Sequence, residues 1–153
     1  LLWEINENSL YNWMYFPIFK ENRFDEKLFQ ETLDKVFADE IQYGKLERSN
    51  NALKAIKDKL SSVLYKVNEE QRKRIAAYIL AADGCRYWNE LGTIICKKEV
   101  QKKDVDRVRA GVLARELEQW FYYYKRLWRT VSRESELYRI QDLVSWYCDY
   151  LRE

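Results

Sequence analysis

Histidine is absent from this chain of 153 residues, which removes the commonest metal ligand and the side chain best suited to proton transfer near neutrality. Glycine occurs four times and proline once, at Pro17, too few for the turns of a β-sandwich or barrel and for a low-complexity tail. The three cysteines, Cys85, Cys96 and Cys148, are odd in number and show no Cys-x-x-Cys spacing, which suits neither a disulfide framework nor a zinc site. Buried free thiols in a reducing, cytoplasmic setting are the expectation. No apolar run approaches the roughly 20 residues that span a bilayer, so no membrane partner is expected. With 27 basic and 25 acidic side chains the net charge is only +2, far from the excess that neutralises a phosphate backbone, and no nucleic acid is expected either. A first residue other than Met suggests a piece of a longer polypeptide.

Aromatic residues are plentiful, and they crowd towards the end. Three of the six Trp and six of the twelve Tyr lie between Trp120 and Tyr150. Such a segment is the centre of a core or a docking surface.

The spacing of apolar residues predicts an all-α protein, a bundle of about five to six helices closed by a long C-terminal αα-hairpin. Leu10, Trp13, Met14 and Pro17 mark one face of a short first helix capped by Ser9, which the proline ends or kinks. Residues 1–24 form this leading segment, and residues 25–153 the bundle. Asp25 caps a second helix with Phe29, Leu33, Val36 and Phe37 inwards. A loop follows from Asp39 to Arg48. Ser49 or Asn50 starts a third helix with Leu53, Ile56, Leu60, Val63, Leu64 and Val67 on one side and Lys54, Lys57, Asp58 and Lys59 towards water.

Asn68-x-x-Gln71 has the form of a capping box for a long fourth helix through Ile75, Ile79, Ala82, Arg86 and Trp88. Gly84 and Gly92 inside it each cost about 1 kcal/mol relative to Ala, so close packing or a kink is expected there. This helix fades around Cys96 to Lys98. Asp104 caps a fifth helix with Val105, Val108, Val112, Leu117, Trp120, Tyr124, Leu127 and Val131 near heptad spacing. Ser132 or Ser135 caps a sixth, with Leu137, Ile140, Leu143, Val144, Tyr147 and Leu151 on its buried face. The short connection makes the last two antiparallel neighbours.

No phosphate-binding loop, nucleophile elbow or metal-ligand spacing is present. Glu69 and Glu70, Glu116 and Glu118, and Glu134 and Glu136 are one or two apart and face different directions on a helix, so they do not converge as paired carboxylates. Catalytic, cofactor-binding and metal-binding residues are therefore all expected to be none. Two basic groupings, one of Lys97, Lys98, Lys102, Lys103, Arg107 and Arg109 and one of Lys125, Arg126, Arg129 and Arg133, are interrupted or flanked by acids and read as mixed-charge helix faces. Successive residues of a helix turn by about 100°, so Tyr122, Tyr123 and Tyr124 cannot all face one way. If Trp120, Tyr124 and Leu127 point inwards, Tyr123 and either Trp128 or Tyr122 reach a second surface, which is a second core layer or an interface; Tyr123, Trp128 and Arg129 are the interface candidates.

The pattern Ala114-Arg115-Glu116-Leu117, then Trp120, Leu127-Trp128 and a terminal helix with Trp146-Tyr147, resembles the C-terminal helical domain of family 20 glycoside hydrolases, the bacterial β-N-acetylhexosaminidases. Asn6-Glu7-Asn8-Ser9-Leu10 with Phe16-Pro17 is similar to the segment that leads out of that family's catalytic barrel. The resemblance implies a non-catalytic domain that supports a (β/α)₈ barrel in the same polypeptide and mediates homodimer formation. The family's catalytic Asp-Glu pair has no counterpart here. A free-standing helical interaction or regulatory domain is the alternative.

Overall fold

The computed structural model describes residues 19–20, 23–24, 27, 44–128 and 134–153. The first expected helix, the second apart from the helical Lys27, and the connection around Val131 and Ser132 lie outside the described residues. Within them the chain is helical, with one small exception. Phe19–Lys20 (β1) and Arg23–Phe24 (β2) pair antiparallel, Phe19 opposite Phe24 and Lys20 opposite Arg23.

Helix α1 runs Lys45–Val63 and begins earlier than the caps Ser49 and Asn50 imply. Its N-cap is Gly44, at φ 60° and ψ 41°, and the Gly44 carbonyl accepts from the Arg48 amide at 3.2 Å. A side chain is strained in that left-handed geometry, so glycine starts this helix through its backbone. Leu53, Ile56 and Leu60 are buried as their spacing predicts, whereas Val63, at 37% exposure, is not. At the far end Arg72 donates from Nε to the Leu64 carbonyl at 3.0 Å, and from Nη2 to Val67. A cation there satisfies the orphan carbonyls and suits the helix dipole.

Helix α2, Glu69–Ile95, starts at the expected capping box: the Asn68 side chain accepts from the Gln71 amide at 2.9 Å and Gln71 reciprocates. Its 27 residues extend roughly 40 Å at 1.5 Å each. The helix is the spine of the molecule. Its first half packs on α1, where Leu53, Ile56, Leu60 and Ala82 form a small cluster. Its second half carries Trp88, Leu91, Ile94 and Ile95 into the main core. Past Ile95 the chain continues as a π-helical turn, Cys96–Val100, with the Gln101 amide bonded to the Cys96 carbonyl at 3.0 Å. Such wide turns are rare and short.

Helix α3 runs Arg107–Trp128 and helix α4 runs Glu134–Arg152. The cap of α3 is Asp106 rather than Asp104, since its Oδ1 accepts from the amides of Val108 and Arg109 at 3.0 and 3.1 Å. Consequently Val105 precedes the helix. The buried stripe is Ala110, Leu113, Ala114, Leu117 and Phe121. Two expected core positions are corrected: Val108 is 78% exposed and Leu127 is 42% exposed. On α4 the expected Leu143, Val144, Tyr147 and Leu151 are all buried, Ser135 falls inside the helix, and the Leu137 and Ile140 side chains lie outside the described residues. Cys148 Sγ reaches the Ala114 carbonyl and Arg152 reaches Glu118.

An aromatic cluster ties α2, α3 and α4 together. Trp88 meets Trp120 at 6.5 Å and Tyr147 at 5.8 Å, both edge to face, the arrangement that ring quadrupoles favour. Trp120 lies over Gly84 and donates its indole N–H to the Leu80 carbonyl at 2.9 Å. The close packing expected at Gly84 is thus between α2 and α3.

Candidate functional site

Asp83, Glu90 and Glu118 are each drawn to a cation on another helix, and Glu116 to Arg109 on its own. Glu116 and Glu118 show why neighbours two apart cannot act together. Glu116 faces α2, bonding Arg109 at 3.3 Å, while Arg109 also grips Glu90 with a bidentate fork, Nη2 to Oε2 at 2.6 Å. That pairing holds the Arg109 guanidinium firmly protonated, with its pKa raised chiefly by the hydrogen bonds it donates to Glu90. Glu118 faces α4, where Arg152 donates to both its oxygens and lowers its carboxyl pKa. Asp83 is held by Lys57 of α1 at 2.9 Å and by Arg86 at 3.1 Å. Glu69 and Glu70 are exposed in the first turn of α2, where the helix dipole favours them. Glu134 and Glu136 have side chains outside the described residues.

No group of three His, Cys, Asp or Glu residues able to hold a metal occurs among the described residues. Cys96 and Cys148 are buried as expected, whereas Cys85 is only half-buried. Cys148 is buried, and desolvation pushes its thiol up to about 12, the opposite of what a thiolate needs. Tyr147 is fully buried with its hydroxyl pKa raised by desolvation. The basic residues face acids and rings: Lys98, Lys103 and Arg107 border one groove of about 300 Å³ together with Asp104 and Glu153, Arg109 lies in the carboxylate network, Lys98 Nζ sits 4.6 Å over the Tyr150 ring, Lys125 sits over Phe121, and Arg126 over Tyr122. Arg129 and Arg133 lie outside the described residues. Among the described residues no helix is long and apolar enough to cross a membrane.

The outer face of α3 is the unusual surface. Tyr122 is 55% exposed and Tyr123 49%, their rings edge to face at 5.5 Å, with Leu127 one turn further along. Of the three interface candidates, Tyr123 is thereby on the surface. Trp128 closes α3, but its side chain and all of Arg129 lie outside the described residues. Tyr122, which the helical phase offered only as an alternative to Trp128, is the more exposed of the pair. Helical phase puts it there, because Phe121 rather than Leu127 faces the core.

Two shallow grooves flank this strip. One, of about 350 Å³ between α3 and α4, is bordered by Tyr122, Phe121, Lys125 and Glu118 on one side and Val144, Ser145 and Asp149 on the other. The second, of about 200 Å³ between α2 and α3, is bordered by Asp83, Tyr87, Glu116, Gln119, Trp120 and Tyr123. Comparison with known proteins finds no match: no family model, no characterised protein and no solved structure resembles the chain.

Proposed function

We propose that this chain is a non-catalytic helical domain that docks against a protein partner through the outer face of α3. The observation that carries this reading is the exposed strip of Tyr122, Tyr123 and Leu127, large side chains of the kind that anchor interfaces. The ion pairing of Asp83, Glu90, Glu116 and Glu118 supports the absence of acid-base work, since each is committed to a neighbouring cation. Following the resemblance in Ala114 to Leu117, Trp120 and Trp146-Tyr147, the partner is the catalytic barrel of a cytoplasmic β-N-acetylhexosaminidase, carried on the same polypeptide. The domain is then a bundle of five to six helices whose last two form a long hairpin, with Trp128 and Arg129 kept as further interface candidates and a homodimer as its second use.

The test pairs two measurements. The chain alone and the full polypeptide are assayed on a chromogenic N-acetylglucosaminide, and turnover by the chain alone would sink the non-catalytic reading. Tyr122→Ala with Leu127→Ala is then expected to weaken association with the barrel, or to lower oligomer mass, while far-UV circular dichroism stays unchanged. A gene that encodes no barrel beside this chain, together with retained association, would transfer the docking face to a free-standing regulatory domain.

A further inference from the structure

The groove between α2 and α3 shares Tyr123 with the docking strip and adds polar groups that the strip does not use. Tyr123 presents a half-exposed ring on its rim, and Tyr87, Asp83, Glu116 and Gln119 bring phenol, carboxylate and amide groups to the same 200 Å³. That volume is below the roughly 300 Å³ at which drug-sized pockets begin, so it takes one small ring. The carboxylates converge on Tyr87, whose hydroxyl pKa is raised by burial first and then by Asp83 and Glu116.

Charge decides which ligand suits it. Asp83 is neutralised by Lys57 and Arg86, and Glu116 shares Arg109 with Glu90, so three carboxylates meet three cations. A cationic ligand would have to displace these partners, and an anionic one would face the carboxylates on the rim. A purely apolar ligand would cover the Gln119 amide without offering it a hydrogen bond, which costs affinity. What remains is a neutral ring with an apolar face and several hydroxyls. The geometry points to a binding site for a neutral hexopyranoside, its apolar face against Tyr123 and its hydroxyls bonded to Gln119, Glu116 and Asp83.

This site shares only Tyr123 with the docking strip, so Gln119→Ala, which touches the groove alone, and Tyr122→Ala, which touches the strip alone, separate the two readings. Methyl β-D-glucopyranoside and N-acetyl-D-glucosamine are titrated into the intact chain while the indole N–H of Trp120, which lines the same groove, is followed by NMR, with L-arginine amide as the cationic comparison. At least one sugar is expected to shift that signal at millimolar concentration. Gln119→Ala, at an exposed position that leaves the fold intact, is expected to weaken the sugar by about fivefold, the worth of one hydrogen bond to a neutral group. Tyr123→Ala is expected to weaken it by about tenfold or more, and Tyr122→Ala to leave it unchanged. Silence from both sugars, a response to arginine amide alone, or equal sugar affinity in the wild type and Gln119→Ala would each overturn the proposal.

Discussion

Replacing Gly84 with alanine should destabilise the protein, although alanine is the better helix former. On propensity alone the change gains about 1 kcal/mol in a helix interior. A Cβ at Gly84 would lie 2.5 to 2.7 Å from Cζ2, Cε2 and Nε1 of Trp120, closer than real Cβ contacts come, and the obstacle is a rigid ring. Trp120 cannot simply retreat, because its ring is packed on Trp88, Phe121 and Tyr124 and its indole N–H is bonded to the Leu80 carbonyl at 2.9 Å. Overpacking of this kind costs about 1–3 kcal/mol, and losing the indole bond about 0.5–1.5 kcal/mol more. Set against the propensity gain, the net loss is about 1–3 kcal/mol, or about 3–10 °C in midpoint for a chain of this size. Gly111→Ala is the control, since a Cβ there meets nothing within 4 Å, and it should be neutral or stabilising by up to about 1 kcal/mol. Urea and thermal unfolding by circular dichroism measure both. Adding Trp120→Phe, which removes the obstructing atoms, should make Gly84→Ala less costly than it is beside Trp120. If Gly84→Ala raises the midpoint as Gly111→Ala does, the tight α2–α3 contact is refuted.

Other residues give independent checks. Phe121→Ala should cost about 3–5 kcal/mol, because Phe121 is 5% exposed, whereas Leu127→Ala should cost under about 1 kcal/mol; equal losses in urea unfolding would contradict this phase of α3. Asn68→Ala removes one half of the capping box and should lower stability by about 1 kcal/mol, with Asn68→Asp retaining most of it. The depressed carboxyl of Glu118 contributes stability that is present above its unfolded-state value and lost as pH falls through the folded one. Because the Glu118–Arg152 pair is about half exposed, the contribution is under about 1 kcal/mol, and Glu118→Gln should flatten the acid limb of the stability profile by no more than that.

Much of the helical core was readable from spacing, and the departures have physical causes. The Asn68-x-x-Gln71 box and the stripe of Leu143, Val144, Tyr147 and Leu151 depend on local pattern alone, and both appear in the structure. On α3 the large residues Val108, Val112 and Leu127 draw the eye to the wrong phase, because the inner face uses small ones, Ala110 and Ala114. A heptad pattern drifts about 20° per repeat on a straight helix, which brings Phe121 in and turns Leu127 out. The starts of α1 and α3 were misplaced for different reasons. A glycine cap works through backbone geometry that side-chain preferences do not reveal, and Asp104 and Asp106 are both good caps, so only tertiary packing selects between them. The ion pairs that engage Glu90 and Glu118 join residues 19 and 34 apart in sequence, so nothing local announces them.

The edge-to-face contacts of Trp88 with Trp120 and Tyr147 also give the protein an optical signature of its own. Rings fixed at 5.8 and 6.5 Å from three different helices sit in a chiral, rigid environment only while α2, α3 and α4 are docked together. Near-ultraviolet circular dichroism should therefore report the docking of those three helices, separately from the far-ultraviolet signal of the helices themselves. A variant that keeps its helicity but loses the near-ultraviolet bands has come apart at this aromatic junction, and no label is needed to see it.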